Sequence, residues 1–194
     1  MNALLLAREL KREADHLLFD LGVEDTLKKY GPVIYSGSYA LDLMAWRDID
    51  LYLNLDDDPE PIETLCKLVR DFSIRDDALR VVIQHKTHLK YPAFPVGICL
   101  GIKLGSDWSK FWKLDIWVVS NAVREQNKAN LQQVLDTLTP ETKELILDMK
   151  QKLMTPAGRT PSMSGYFLYQ AVLHEGLRDE NKIRSYLREH GVKL

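Results

Sequence analysis

The spacing of apolar residues changes near Ser120, and this change limits the folds open to the chain. Before Ser120, the two-residue alternation of β-strands is interspersed with the three- and four-residue steps of amphipathic helices. After Ser120, only the helical steps remain. The sequence therefore predicts two parts, an α/β part over residues 1–120 and a helical part over residues 121–194.

Local signals place the individual elements. Leu6, Leu10 and Ala14 share one helical face behind Asn2 as N-cap, and Thr139 caps a later helix that begins with a proline. The predicted strands cover residues 32–35, 48–53, 80–84, 96–104 and 111–119. The predicted helices cover residues 6–21, 41–45, 61–72 and four segments after residue 120. The apolar stripe of the helix at 61–72 consists of Ile62, Leu65, Cys66, Val69 and Phe72.

The composition favours a folded cytoplasmic protein. The chain has 194 residues, of which 45% are hydrophobic, and 26 Lys and Arg face 28 Asp and Glu for a formal net charge of −2. No basic excess supports a nucleic-acid partner. Cys66 and Cys99 lie in apolar stretches, where we expect reduced core residues. The N-terminal apolar run lacks a basic lead-in, and residues 96–102 fall far short of the ~20 that span a bilayer, so no membrane partner is expected.

The most informative motif is a glycine–serine pair followed by two aspartates. Nine residues separate Gly37-Ser38 from Asp48-Ile49-Asp50, and the alternation around the aspartates is that of a strand. Two carboxylates on one strand face repel unless they are protonated or bridged by a cation. Hard oxygen ligands suit Mg²⁺ or Mn²⁺, and a strand that leads into Gly-Ser exposes backbone N–H groups to phosphate. The motif predicts a metal–nucleotide site.

A third aspartate completes this hypothesis. Lys113, Asp115 and Trp117 alternate along the last predicted strand and share a face. If this strand lies beside the one with Asp48 and Asp50, the three carboxylates converge on one site. Three acids on two adjacent strands are able to hold two metal ions about 3.5–4 Å apart, an arrangement that favours in-line phosphoryl displacement.

Residues 30–119, with their Gly-Ser pair, paired aspartates and later lone aspartate, resemble the nucleotidyltransferase superfamily of DNA polymerase beta, including its minimal and antibiotic-modifying members. The resemblance implies an α+β fold, a small mixed β-sheet with helices on one face, followed by a C-terminal helical bundle. It makes residues 1–120 the catalytic domain. Its implied roles are phosphate binding by Gly37 and Ser38, binding of both metals by Asp48 and Asp50, and metal binding plus orientation or deprotonation of the acceptor hydroxyl by Asp115.

The reaction implied by this resemblance is transfer of a nucleotidyl group, AMP in the first instance, from a nucleoside triphosphate such as ATP. The expected acceptor is a hydroxyl of a small molecule or a protein, selected by residues 121–194 and the loop Lys86–Pro95. The alternative is a catalytically weak binding module of the same fold, an antitoxin-like partner protein. RNA-directed transfer is least supported, because both parts of the chain are nearly neutral.

Several residues near the motif leave two interpretations open. Arg47 and Lys113 flank the acids and either contact phosphate or balance the acidic charge. Lys150 either steers the triphosphate or belongs to a charged helix face, and Tyr169 either lines a cleft or packs in the core. Three tryptophans crowd one hairpin as packing residues or as a stacking platform for a ring: Trp108, Trp112 and Trp117.

Overall fold

A five-stranded mixed β-sheet forms the centre of the structure, a computed structural model that describes residues 2–86 and 95–194. The strands are β1 (Val33–Ser36), β2 (Asp48–Leu53), β3 (Ala78–His85), β4 (Ile98–Asp107) and β5 (Lys110–Val118). Their order across the sheet is β1-β2-β5-β4-β3. Strands β2 and β5 run parallel, and the other neighbouring pairs are antiparallel. The predicted strands and the α+β class are confirmed.

Eight α-helices surround this sheet in the part of the chain that the structure describes. They are α1 (Ala3–Asp15), α2 (Val23–Lys28), α3 (Gly37–Ala40), α4 (Pro61–Ser73), α5 (Asn121–Thr137), α6 (Pro140–Lys152), α7 (Ser164–Tyr169) and α8 (Glu180–Glu189). The two predicted N-caps are confirmed: the Asn2 side chain accepts a hydrogen bond from the Leu4 N–H at 2.8 Å, and Thr139 forms a capping box with Thr142. None of the described helices combines the length and apolar character that a membrane crossing requires.

The main hydrophobic core lies between one face of the sheet and helices α1, α2 and α4. Alternate strand residues supply the sheet side of this core: Ile49, Leu51, Leu53, Leu100, Ile102, Leu104, Leu114 and Ile116. Because strand side chains alternate, the residues between them, including the aspartates of β2, point to the opposite face.

A second hydrophobic cluster joins the C-terminal helices to the first part of the chain. Leu147, Leu168 and Leu187 are buried in it together with Leu41 and Leu43. Leu41 and Leu43 lie in the segment between α3 and β2. The later helices therefore pack against the chain immediately before Asp48, and their packing helps to position the acid-bearing strand.

The prediction of a helix at residues 41–45 is wrong. The helical turn is α3, four residues earlier, and it ends before Asp42, whose φ of 54° is left-handed. The Asp42 carboxylate forms an ion pair with Lys143 of α6. This contact ties the turn after α3 to the C-terminal helices.

The interpretation of Cys66 as a core residue is also wrong. Both cysteines are free thiols, but Cys66 is exposed, whereas Cys99 is buried in β4. The buried face of α4 consists of Leu65, Leu68 and Phe72, so Cys66 falls on the solvent side of the helix. Residues 87–94, most of the predicted acceptor loop, lie outside the described residues.

Candidate functional site

The pairing of β2 with β5 brings the three predicted acids together. In this parallel pair, Asp50 is the register partner of Asp115, and Asp48 is the register partner of Lys113. Register partners on adjacent strands direct their side chains to the same face of the sheet. Asp48, Asp50 and Asp115 therefore share the face opposite the main core. We refer to these three residues as the acid cluster.

Lys113 bridges two members of the acid cluster. Its Nζ lies 2.9 Å from Asp48 Oδ1 and 2.8 Å from Asp115 Oδ2. Burial alone disfavours the charged ammonium, but the charges of Asp48, Asp115 and Asp50 outweigh burial and raise the pKa of Lys113. Of the two functions left open for Lys113, charge compensation is the one that this arrangement displays.

Asp50 and Asp48 are both under electrostatic stress in the acid cluster. Burial, then the charge of Asp48, raise the pKa of Asp50 from its usual 3.8 to about 8, although Lys113 opposes the shift. Burial also raises the pKa of Asp48, against the opposing charge of Lys113. These carboxylates hold their negative charge at a cost, and any additional cation that reaches them relieves it.

The turn at Gly37 approaches the acid cluster closely. Ser36, the last residue of β1, is the register partner of Asp50, and the next residue, Gly37, has a left-handed φ of 59°. A Cβ on Gly37 would lie only 2.4 Å from Asp50 Oδ2. Gly37 and Ser38 are half-buried, so the turn remains reachable beside the carboxylate. Only glycine suits both this backbone conformation and this approach.

We expect the substitution Gly37→Ala to destabilise the chain more than Gly22→Ala. Gly22 is also left-handed, with φ of 72°, but nothing lies within 4 Å of a Cβ placed there, so the control carries only the backbone cost of about 1 kcal/mol. Gly37→Ala adds displacement of the Asp50 carboxylate, for a total of about 2–3 kcal/mol. Urea unfolding of both variants measures the difference. Equal losses would contradict the close contact between Gly37 and Asp50.

The buried Lys150 and the half-buried Tyr169 form a polar pair beside the acid cluster. Lys150 is only 5% exposed, and its Nζ donates hydrogen bonds to the Leu43 carbonyl at 2.7 Å and to the Tyr169 hydroxyl at 2.8 Å. Burial lowers the pKa of Lys150 to about 7, while the charges of Asp48 and Asp50 act in the opposite direction. The interpretation of Lys150 as part of a charged helix face is wrong. The sequence contains one signal for this burial: Lys150 lies four residues after the buried Ile146, and residues four apart share one face of a helix.

Arg47 lies apart from the acid cluster. Its guanidinium binds the Glu13 carboxylate of α1 through two hydrogen bonds, with Nε–Oε2 at 2.8 Å and Nη2–Oε1 at 2.9 Å. It also lies 6.0 Å from the ring centre of Trp112, a residue of the main core. Arg47 thus helps to fasten α1 to the helix-covered face of the sheet, and phosphate binding by Arg47 remains a sequence prediction.

Comparisons with known proteins do not assign the site. The sequence matches no known protein-family model, and no curated protein is significantly similar to it. Within residues 2–86 and 95–194, no group of three or more His, Cys, Asp and Glu side chains has the arrangement of a metal site. In the acid cluster, the Lys113 ammonium lies between Asp48 and Asp115.

Proposed function

We propose that this chain is a nucleotidyltransferase that transfers a nucleoside monophosphate, with AMP as the first candidate, from a nucleoside triphosphate to an acceptor hydroxyl. One observation carries the proposal: Asp48, Asp50 and Asp115 share a face on two parallel strands, with the Gly37 turn against Asp50. Two of these acids already attract a cation, the Lys113 ammonium. The acceptor belongs to a small molecule or a protein, because the net charge of −2 gives nucleic acid no support.

The chemistry of the acid cluster suits Mg²⁺ or Mn²⁺, although its side chains, with the Lys113 ammonium between Asp48 and Asp115, do not have the arrangement of a metal site. The donor set consists of three carboxylates, the hard oxygen ligands that these ions prefer. Asp48, Asp50 and Asp115 would hold the ions. Bound divalent ions neutralise phosphate charge and polarise the reacting phosphoryl group. They would also compete with the Lys113 ammonium for the oxygens of Asp48 and Asp115, and a released Lys113 has its charge available to phosphate.

The residues of the chain then have distinct roles. The half-buried turn at Gly37 and Ser38 offers backbone N–H groups and a hydroxyl to the β- and γ-phosphates. Asp115 orients the acceptor hydroxyl and takes its proton. A bond forms between the acceptor oxygen and the α-phosphorus, the bond to the bridging oxygen breaks, and pyrophosphate leaves. Positioning and charge neutralisation supply most of the rate enhancement.

Transfer of label from ATP tests this proposal. Incubated with Mg²⁺ and a cell extract, the chain should transfer ³²P from the α-position of ATP to one acceptor fraction, while ³²P from the γ-position should appear in pyrophosphate. Asp48→Asn should reduce transfer by about 10³-fold, because several kcal/mol of charge stabilisation disappear. Asp57→Asn, at an exposed aspartate in the loop after β2, is the matched control and should leave transfer unchanged. Equal transfer of α-label by Asp48→Asn and wild type would refute the proposal.

A second candidate is a binding module of the same architecture without transferase activity. The specific observation in its favour is that Lys113 balances Asp48 and Asp115 internally, so that these two acids have a partner without any metal ion. Calorimetry with ATP separates the two candidates. A transferase should release heat of nucleotide binding that depends on Mg²⁺ and is lost in Asp48→Asn, whereas a binding module should show no nucleotide heat with or without Mg²⁺.

A further inference from the structure

A row of basic residues crosses the sheet beside the acid cluster. Lys113 on β5 is the register partner of Lys103 on β4, and Lys103 is the register partner of Arg80 on β3. Because register partners share a face, the three cations project on the same side of the sheet as Asp48, Asp50 and Asp115. We call Arg80, Lys103 and Lys113 the basic row.

Two members of the basic row have no acidic partner among the residues that the structure describes. Lys113 is engaged by Asp48 and Asp115, but in the described ranges 2–86 and 95–194 no carboxylate forms an ion pair with Arg80 or Lys103. Burial, and then the charges of Arg80 and Arg159, lower the pKa of Lys103, so Arg159 of the loop between α6 and α7 adds to the same positive field. Like charges on neighbouring strands repel each other, and a bound anion would remove this cost.

An exposed aromatic surface adjoins the basic row. Trp108, at the tip of the β4–β5 hairpin, is 58% exposed, whereas Trp112 and Trp117 are buried. The Lys103 Nζ lies 5.0 Å from the ring centre of Trp108 and 4.1 Å from that of Phe111. A planar ring that stacks on Trp108 would therefore bring an attached anionic group within reach of Lys103.

Arg80 and Lys103 lie on the opposite side of the acid cluster from the Gly37 turn. The turn follows β1, which borders β2 on one side, whereas the basic row extends from β5 to β3 on the other. Gly101 lies between Asp115 and Val82, and a Cβ built on it would be 3.9 Å from Asp115 Oδ1 and 3.4 Å from Val82 Cγ1. No side chain at position 101 separates Asp115 from the β3 side of the sheet.

We propose that Arg80, Lys103 and Trp108 bind the acceptor, a small hydroxyl compound that carries a phosphate group next to a planar ring. The inference rests on the proposed transferase function, since it assigns the triphosphate to the Gly37 side of the acid cluster and the acceptor to the β3 side. Arg80 and Lys103 bind the phosphate of the acceptor, Trp108 stacks on its ring, and Asp115 receives its hydroxyl.

Phenyl phosphate is a suitable probe, because it combines the ring and the anion without an acceptor hydroxyl. Its binding is followed by the quenching of tryptophan fluorescence, with phenol as the neutral comparison. Wild type should bind phenyl phosphate saturably and phenol not at all. The double variant Arg80→Gln/Lys103→Gln should bind at least about 10-fold more weakly, since two charge-assisted contacts are lost. Lys110→Gln, at an exposed lysine of the same hairpin outside the row, should bind like wild type.

Two results would overturn the acceptor site: no saturable binding by wild type, or equal affinity in wild type and the double variant. Removal of repelling charges should leave the unfolding midpoint of the double variant unchanged or raised. The two single variants, each of which loses one charge, provide the same comparison of affinity and unfolding midpoint with wild type. Binding of phenyl phosphate requires no catalysis, so failure of the label-transfer assay leaves this result intact. Conversely, active label transfer together with unaltered binding by the double variant refutes the acceptor site alone.

Discussion

Replacement of Lys113 by methionine is expected to lower the free energy of unfolding of the metal-free chain by about 3 kcal/mol and to make Mg²⁺ a strong stabiliser. In the wild type, the Lys113 ammonium lies within 2.9 Å of Asp48 and Asp115, whose side chains are only 14% and 15% exposed. Methionine preserves most of the side-chain volume but leaves two poorly hydrated carboxylates without a counter-charge. A divalent ion that binds these oxygens no longer competes with the ammonium.

Thermal unfolding in a chelator and in Mg²⁺ measures both effects. Mg²⁺ should raise the unfolding midpoint of Lys113→Met by more than that of wild type, because ligand binding to the folded state alone is stabilising. Lys67→Met is the matched control: Lys67 pairs with Glu63 at 3.0 Å, but the two side chains are 60% and 57% exposed, and its loss should change nothing measurable. If Mg²⁺ stabilises Lys113→Met no more than wild type, the acid cluster does not bind the ion, and the binding module becomes the better candidate.

The part of the site that the sequence predicts well is the part built from local patterns. The alternation around Asp48 and Asp50 and around Asp115 fixes which strand residues share a face, since that relation has a period of two. The sequence could not decide that β2 and β5 are neighbours, because strand order depends on long-range packing. The prediction that three acids converge was therefore conditional, and the structure supplies the register that satisfies the condition.

The positions of Lys150 and Arg47 depend on contacts between distant elements. The sequence pattern is also that of a charged residue on a helix surface, yet the Lys150 ammonium is buried. The Leu43 carbonyl and the Tyr169 hydroxyl accept its hydrogen bonds and so compensate for the lost water. Arg47 directly precedes Asp48 in the sequence, but strand alternation directs its side chain to the opposite face of the sheet, where Glu13 binds it. A charged residue near a motif in sequence is therefore weaker evidence for a site than its phase along the strand or helix.

Register also exposes a relation that no local pattern contains. Arg80, Lys103 and Lys113 are more than nine residues apart from one another in the sequence and look like ordinary surface charges. Only the order β5-β4-β3 and the pairing of the strands align them. The net charge of −2 hides this positive row, because its acidic counterpart is distributed over the rest of the surface. Overall charge therefore excludes an extensive nucleic-acid surface more reliably than it excludes a small anion site.

The stability of the metal-free chain is expected to fall between pH 5 and 7 and to fall less steeply above pH 7. The pKa of Asp50 is about 8 in the folded chain against a usual 3.8, so between these values the folded state binds more protons than the unfolded state, and stability falls as the pH rises. The raised pKa of Asp48 acts in the same direction. The pKa of Lys150 is about 7 against a usual 10.5, so above pH 7 the unfolded state binds more protons at this group, and Lys150 opposes the decline.

Two variants separate the contribution of the carboxylates from the opposing contribution of Lys150. Asp50→Asn removes a carboxylate that is costly to ionise, so at pH 8 in a chelator its free energy of unfolding should exceed that of wild type by about 2 kcal/mol, and its decline between pH 5 and 8 should be shallower. Lys150→Met should lose the flattening above pH 7 and retain the decline. The readout is the shape of each curve from urea unfolding, so a constant offset from altered packing does not affect it. A wild-type stability that rises steadily from pH 5 to 8, or an Asp50→Asn curve parallel to it, would show that the acid cluster is not under the electrostatic stress on which its affinity for added cations depends.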